Sequence, residues 1–224
     1  MTLKAIIFDM DGVIVDTEFC DFQIVKDFIH TENPKLDLEK TDFTELIGRS
    51  YDNLYRSLKH FTASEESFQE VGKKFHAYSD HKYDTLDYLS LMRQDIVHVL
   101  KYAKEHQIKL AVASSSRYDH IVEVLTACGI KDYFDFIFSG EVLAESKPNP
   151  EIYVKTLAKL NVLPHEAVAI EDSFYGITAA KAAGIPVVAY EETRVPIDQS
   201  HADFLVQDMQ VFFEVVKELH QANR

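Results

Sequence analysis

The chain has 224 residues, 46% hydrophobic and 27% charged, the composition of an ordinary globular protein long enough to bury a sizeable core. With 23 basic against 37 acidic residues its formal net charge is −14, a field that repels nucleic acid and anionic membrane surfaces and leaves neither as an expected partner. Its two cysteines, Cys20 and Cys128, cannot build a disulfide framework, and no apolar run reaches the length of a signal-peptide core or a membrane span, so a cytoplasmic protein with reduced thiols is expected.

In chain order, the first expected element is a strand at residues 5–8, Ala-Ile-Ile-Phe, which stops at Asp9-Met10-Asp11-Gly12. From about 17 to 92 the texture is helical. Phe22, Val25, Phe28 and Ile29 recur at helix spacing, followed by Leu54, Tyr55 and Leu58 and then Phe68, Val71 and Phe75. Beyond it, short apolar runs at 109–113, 134–138, 167–170, 187–190 and 204–206 alternate with helical patterns. Those patterns fall at about 93–106, 117–128, 150–160, 175–183 and 208–222. Runs this short and this apolar fit strands buried on both faces, and their alternation with helices implies βαβ units. The expected architecture is an α/β protein with a doubly wound, Rossmann-like parallel sheet, in which residues 1–16 and 93–224 form the core. Residues 17–92 are expected to form an all-helical insertion.

Ligands in open parallel sheets bind beyond the carboxyl ends of the strands. Four strand-to-helix connections carry polar cargo there: Asp9-Met10-Asp11-Gly12-Val13, Ser114-Ser115-Ser116, Lys147-Pro148-Asn149-Pro150, and Glu171-Asp172-Ser173. Singly, each has a plain structural alternative. Asp-x-Asp-Gly is a common turn, the serines could cap the next helix, the acidic pair could favour a helix N-terminus, and Lys147 could be a surface lysine. A calcium loop does not fit, because Val13 stands where an oxygen ligand is needed. Their convergence on one sheet edge points to phosphoryl transfer. Four carboxylates so close would repel one another without a cation, and an all-oxygen set suits Mg²⁺. One carboxylate could then attack phosphorus, while a second could protonate the leaving oxygen and later deprotonate water. Ser114 and nearby backbone N–H groups could hold phosphoryl oxygens, and Lys147 could neutralise the remaining charge.

The order Asp9-x-Asp11-Gly-Val, Ser114 after a hydrophobic strand, Lys147-Pro, and Glu171-Asp172 with Gly176 resembles the haloacid dehalogenase superfamily. The nearest likeness is to its β-phosphoglucomutase-like phosphatase branch, over almost the whole chain. The resemblance implies Asp9 as nucleophile and metal ligand, and Asp11 as general acid/base lending its backbone carbonyl to Mg²⁺. It implies Asp172 as a further ligand, with Glu171 ligating directly or through water. Ser114, with its neighbour Ser115, and Lys147 would bind the phosphoryl group. The insertion would be a cap entered at Asp16-Thr17. Dehalogenases proper carry a tyrosine where Asp11 stands, so Asp11 favours phosphate chemistry.

Gly48-Arg49-Ser50 resembles the cap substrate loop of that branch, which makes Arg49 a candidate for substrate binding beside its plainer reading as a surface ion pair. Lys73 and Lys74 are candidates for the same task or a solvated helix face. Two positions depart from the branch. Asp21 stands where a mutase-like sequence would carry a histidine, which favours hydrolysis over return of the phosphoryl group. Leu91-Met92-Arg93-Gln94 replaces a Pro-Gly pair at the return from the cap. The expectation is a monomeric Mg²⁺-dependent phosphatase acting on a small phosphorylated metabolite, a sugar phosphate above all. A phosphosugar mutase and an inactive scaffold with a binding or regulatory role are the alternatives.

Overall fold

The computed structural model describes residues 3–43, 46, 51–83 and 86–221. The chain divides into two compact units, one of Met1–Asp16, Tyr88–Glu192 and Asp198–Arg224, the other of Thr17–Asp87 and Thr193–Ile197.

The first unit holds a six-stranded sheet of β1 (Ala5–Phe8), β2 (Lys109–Ser114), β3 (Phe136–Ser139), β4 (Ala167–Glu171), β5 (Val187–Tyr190) and β6 (Phe204–Val206). The strands lie in the order β3-β2-β1-β4-β5-β6 and every pair is parallel. The period of two along the strands separates two faces. On one, small side chains at Ala5, Ala111, Ala113, Ala167, Ala169 and Ala189 leave room for Ile152, Tyr153 and Leu157 of α7 (Glu151–Leu160) and Ile177 and Ala180 of α8 (Phe174–Ala182). On the other, Phe8 meets Phe212 of α9 (Met209–Gln221) edge-on at 5.9 Å. Further helices are α4 (Tyr88–Leu91), α5 (Ile96–Glu105) and α6 (Tyr118–Ala127). The sheet is thus doubly wound, as the alternating pattern predicts.

Two boundaries differ from the sequence reading for local reasons. The third strand begins at Phe136, not 134. Phe134 turns edge-on to Phe8 at 6.0 Å, and the Asp135 carboxylate accepts the Leu110 N–H at 2.8 Å and pairs with Lys104 at 2.9 Å. The helix expected from 93 starts at Ile96, after a turn in which the Ile96 N–H bonds to the Arg93 carbonyl at 2.9 Å, while the Arg93 N–H bonds to the Ile14 carbonyl at 3.0 Å. There the chain returning from the second unit runs beside the chain leaving for it, with the Asp16 N–H bonded to the Leu91 carbonyl at 2.9 Å. Arg93, in place of the expected Pro-Gly, pairs with the Asp16 carboxylate at 2.9 Å and lies 4.4 Å over the Tyr190 ring.

The regular structure among the second unit's described residues is helical, with α1 (Glu18–Glu32), α2 (Tyr51–Phe61) and α3 (Phe68–Tyr83) joined by turns and loops. Its own core gathers Phe28, Ile29, Leu58, Val71 and Phe75, with the Phe28 and Phe75 rings 5.4 Å apart. The aromatic residues at helical spacing are therefore core. Lys73 and Lys74 form surface ion pairs with Glu70 and Glu66, both at 2.7 Å. Arg49, with Gly48 and Ser50, lies outside the described residues. Among the described residues no helix is long and apolar enough to cross a membrane.

Candidate active site

The sheet order places β1 between β2 and β4, so the strand order reverses there, running outward from β1 to β2 and β3 on one side and from β4 to β5 and β6 on the other, which opens a crevice beyond Phe8. Asp9 is the first residue past β1, its N–H still bonded to the Ile170 carbonyl of β4 at 3.0 Å. That bond sets Asp9 beside the end of β4, where Glu171 and Asp172 emerge. The chain then turns sharply, with Gly12 at φ +77° and its N–H bonded to the Val15 carbonyl at 2.8 Å. A Cβ at Gly12 would fall inside 3.0 Å of the Asp172 carboxylate. Glycine is required there twice over, for its backbone angle and for the close approach of Asp172.

Lys147 reaches the crevice from the loop after β3. Its side chain is only 7% exposed, and Nζ donates to Asp9 Oδ1 at 2.9 Å, to the Ala113 carbonyl at 2.9 Å and to Glu171 Oε1 at 2.6 Å. All three ammonium protons are therefore in use. Glu171 is fully buried and its Oε1 also accepts the hydroxyl of Tyr153, itself fully buried. Gly176 lets Glu171 sit against the first turn of α8, whose N-cap Ser173 accepts the Gly176 N–H at 3.0 Å.

The charges here are strongly coupled. Burial and the neighbouring Glu171 lift the Asp9 carboxyl to about 8, against the pull of Lys147, and Asp11 adds to the rise. Burial pushes the Lys147 ammonium down, but Asp9 and Glu171 outweigh it and hold the group charged. Burial and Glu171 push the Tyr153 phenol well up, so it remains a neutral donor. One ammonium faces more negative charge than it can balance.

The remaining predicted residues lie around this core. Asp11 is partly exposed, and its Oδ2 accepts the Ser116 hydroxyl at 2.8 Å. Ser114 is buried at the end of β2 with its Oγ accepting the Ser116 N–H at 3.1 Å, while Ser115 is exposed. The serines do not cap the following helix: its N-cap is Arg117 without a side-chain cap bond, and Glu141 receives the Tyr118 N–H at 3.1 Å. Asp172 is buried, and its backbone carbonyl accepts Gln199 Nε2 at 2.6 Å. Gln199 donates also to the Tyr190 carbonyl at 2.7 Å and so ties the Asp172 turn to the end of β5.

Asp9, Glu171 and Asp172 each present a carboxylate oxygen within 4.8 Å of the others. A hard, all-oxygen donor set of surplus negative charge, with Gly12 drawn in close enough to leave no room for a side chain, fits Mg²⁺. Sequence reasoning missed Tyr153 and Gln199 and gave Ser116 no role of its own. Tyr153 falls at a helix-core spacing and Gln199 in a polar loop, so neither carries a local signal; Ser116 was visible as part of the serine run.

The family model of haloacid dehalogenase-like hydrolases matches residues 6–190. A phosphorylated carbohydrates phosphatase of Thermotoga maritima is 31% identical over 196 residues, covering 82% of each chain. The β-phosphoglucomutase of Bacillus subtilis is 30% identical, covering 82% of this chain and 81% of its own. The crystal structure of a β-phosphoglucomutase from Clostridium difficile superposes with a TM-score of 0.77 at 26% identity, covering 99% of both chains. The chain is an enzyme of the haloacid dehalogenase-like hydrolase family, on its β-phosphoglucomutase-like phosphatase branch.

Proposed function

We propose that this protein is a Mg²⁺-dependent phosphatase that hydrolyses a small phosphomonoester, a phosphorylated sugar, through a phosphorylated Asp9. The observation that carries the reading is the placement of Asp9. Its carboxylate stands at the end of β1, one oxygen held by Lys147, with a second carboxyl two residues on at Asp11. In the first step an Asp9 oxygen bonds to phosphorus as the ester P–O bond breaks, and the Asp11 carboxyl gives its proton to the departing oxygen. In the second, the Asp11 carboxylate takes a proton from water as that water bonds to phosphorus, and the Asp9–phosphorus bond breaks to release inorganic phosphate. Ser116 holds Asp11 by its Oδ2. Ser114, Ser115 and Lys147 receive the phosphoryl oxygens in this reading. Asp9, Glu171, Asp172 and the Asp11 backbone carbonyl would hold Mg²⁺, which when bound supplies charge neutralisation at the phosphoryl oxygens.

In this reading residues 17–92 serve as a cap that selects substrate, with Arg49 as a substrate-binding residue. The sugar phosphate class rests on the Thermotoga relative, which is named for phosphorylated carbohydrates, and on the β-phosphoglucomutase likeness. Asp21 favours hydrolysis over a mutase. The test is release of inorganic phosphate from a panel of sugar phosphates, nucleotides and other small phosphomonoesters, with and without a chelator. Hydrolysis that is lost on removing Mg²⁺ is expected. Hydrolysis indifferent to chelation would overturn the metal reading, and conversion of β-glucose 1-phosphate to glucose 6-phosphate outpacing phosphate release would replace the phosphatase with a mutase.

A further inference from the structure

We propose that Tyr153 is a positioning residue that holds Glu171 in place while Lys147 exchanges Glu171 for an oxygen of the incoming phosphoryl group; the inference rests on the phosphatase reading above. An ammonium has three protons, and those of Lys147 are taken by Asp9 Oδ1, the Ala113 carbonyl and Glu171 Oε1. A phosphoryl oxygen can be bound by Lys147 only if one of these acceptors is given up.

The three are not equally easy to release. The Ala113 carbonyl belongs to a fully buried strand residue, and losing its donor would leave a buried acceptor unsatisfied. Asp9 carries the reacting oxygen and has to stay beside the phosphorus that Lys147 approaches. Glu171 differs from both, because a second donor, the Tyr153 hydroxyl, already sits on the same Oε1. When Lys147 turns away, that oxygen keeps a partner and the carboxylate keeps its position against Gly176. Nothing in the packing calls for the hydroxyl. Tyr153 lies among Ile152, Leu157 and the alanines of the sheet, where a phenylalanine ring would fill the same space. Its Nζ neighbour lies 5.4 Å from the ring centre, so the ring flanks the path of the exchange.

Tyr153→Phe removes the hydroxyl and keeps the ring. Inorganic phosphate binding to the Mg²⁺-equilibrated protein and Mg²⁺ binding alone are measured by calorimetry, alongside KM and kcat and the thermal midpoint. Loss of one hydrogen bond to a charged group corresponds to roughly tenfold or more in affinity. The Kd for phosphate is expected to rise by that factor, with KM rising more than kcat falls, while the protein stays folded with a thermal midpoint lowered only by the several degrees that one buried charged hydrogen bond is worth. In a Glu171→Gln background, where Lys147 no longer leaves a charged partner, adding Tyr153→Phe should change phosphate affinity by less than about twofold, the coupling of residues acting as one unit. A Tyr153→Phe protein that binds phosphate like wild type overturns the inference and leaves the phosphatase reading standing. An equal loss in both backgrounds, or a Tyr153→Phe protein that no longer folds, also overturns it. Wild-type protein that neither binds nor releases phosphate overturns both.

Discussion

Replacing Gly176 by alanine tests the packing on which the buried carboxylate depends. In the interior of an exposed helix the exchange stabilises by about 1 kcal/mol, because glycine has more backbone entropy to lose. Here the added methyl would fall inside 3.0 Å of both Glu171 carboxylate oxygens and their carbon. Glu171 has no free direction of escape, since it is fully buried and held by Lys147 at 2.6 Å and by the Tyr153 hydroxyl. Forcing a methylene-sized group into a packed site costs about 1–3 kcal/mol. Displacing the carboxylate from a charged hydrogen bond costs about 1.5–3 kcal/mol more. Against the helix gain of about 1 kcal/mol, the net loss is about 1.5–5 kcal/mol. Urea denaturation followed by circular dichroism should show a lower midpoint at unchanged slope, and phosphate release should fall with it. A Gly176→Ala protein as stable as wild type, or about 1 kcal/mol more stable, would refute the close approach of Glu171 to this helix.

Two further predictions follow from the charges. Lys147→Met leaves Asp9 and Glu171 facing each other in a buried site, and removing one partner of such a pair costs about 3–5 kcal/mol. Thermal melts at one Mg²⁺ concentration should show a larger stabilisation of this variant than of wild type, reaching about 2.7 kcal/mol where that concentration is a hundredfold above the variant's own Kd; an equal Mg²⁺ response in both would contradict the shared-site account. Burial pushes the Asp203 carboxyl up, but bonds from Lys181 and the Val187 N–H outweigh it and hold the group below its ordinary value. A depressed folded value means that its stabilisation is present above about pH 4 and is lost as pH falls through the folded value. Asp203→Asn should therefore be less stable than wild type at neutral pH and closer to it in acid, and parallel stability curves against pH would sink the assignment.

Much of the molecule was legible in the sequence because the features that position the site are local. Buried strands such as Ala5–Phe8 and Val187–Tyr190 are short apolar runs, and they end where the charged residues begin. In a parallel sheet that boundary also marks the ligand-binding edge, so Asp9, Ser114, Glu171 and Asp172 could be placed without coordinates. Phe134 and Asp135 read as strand because apolar character alone does not reveal that a ring turns toward Phe8 or a carboxylate toward the Leu110 N–H. Tyr153 and Gln199 were illegible for another reason. Each acts through a partner distant in sequence, 18 residues away at Glu171 and 27 at Asp172, and no spacing rule connects them. Arg93 stood out only as a departure from a familiar pattern, and its pairing with Asp16 across the paired linkers gives that departure a structural role.

The most direct test of the account is whether phosphate passes through Asp9. Wild-type protein and Asp9→Asn are mixed with a ³²P-labelled phosphomonoester that wild type hydrolyses, quenched in acid within the first turnover, and the protein is separated from free label. The account predicts label on the wild-type chain, released by hydroxylamine as expected of an acyl phosphate, and none on Asp9→Asn, which should also release no phosphate. Hydrolysis that persists in a folded Asp9→Asn protein, or labelled protein in that variant, would contradict it.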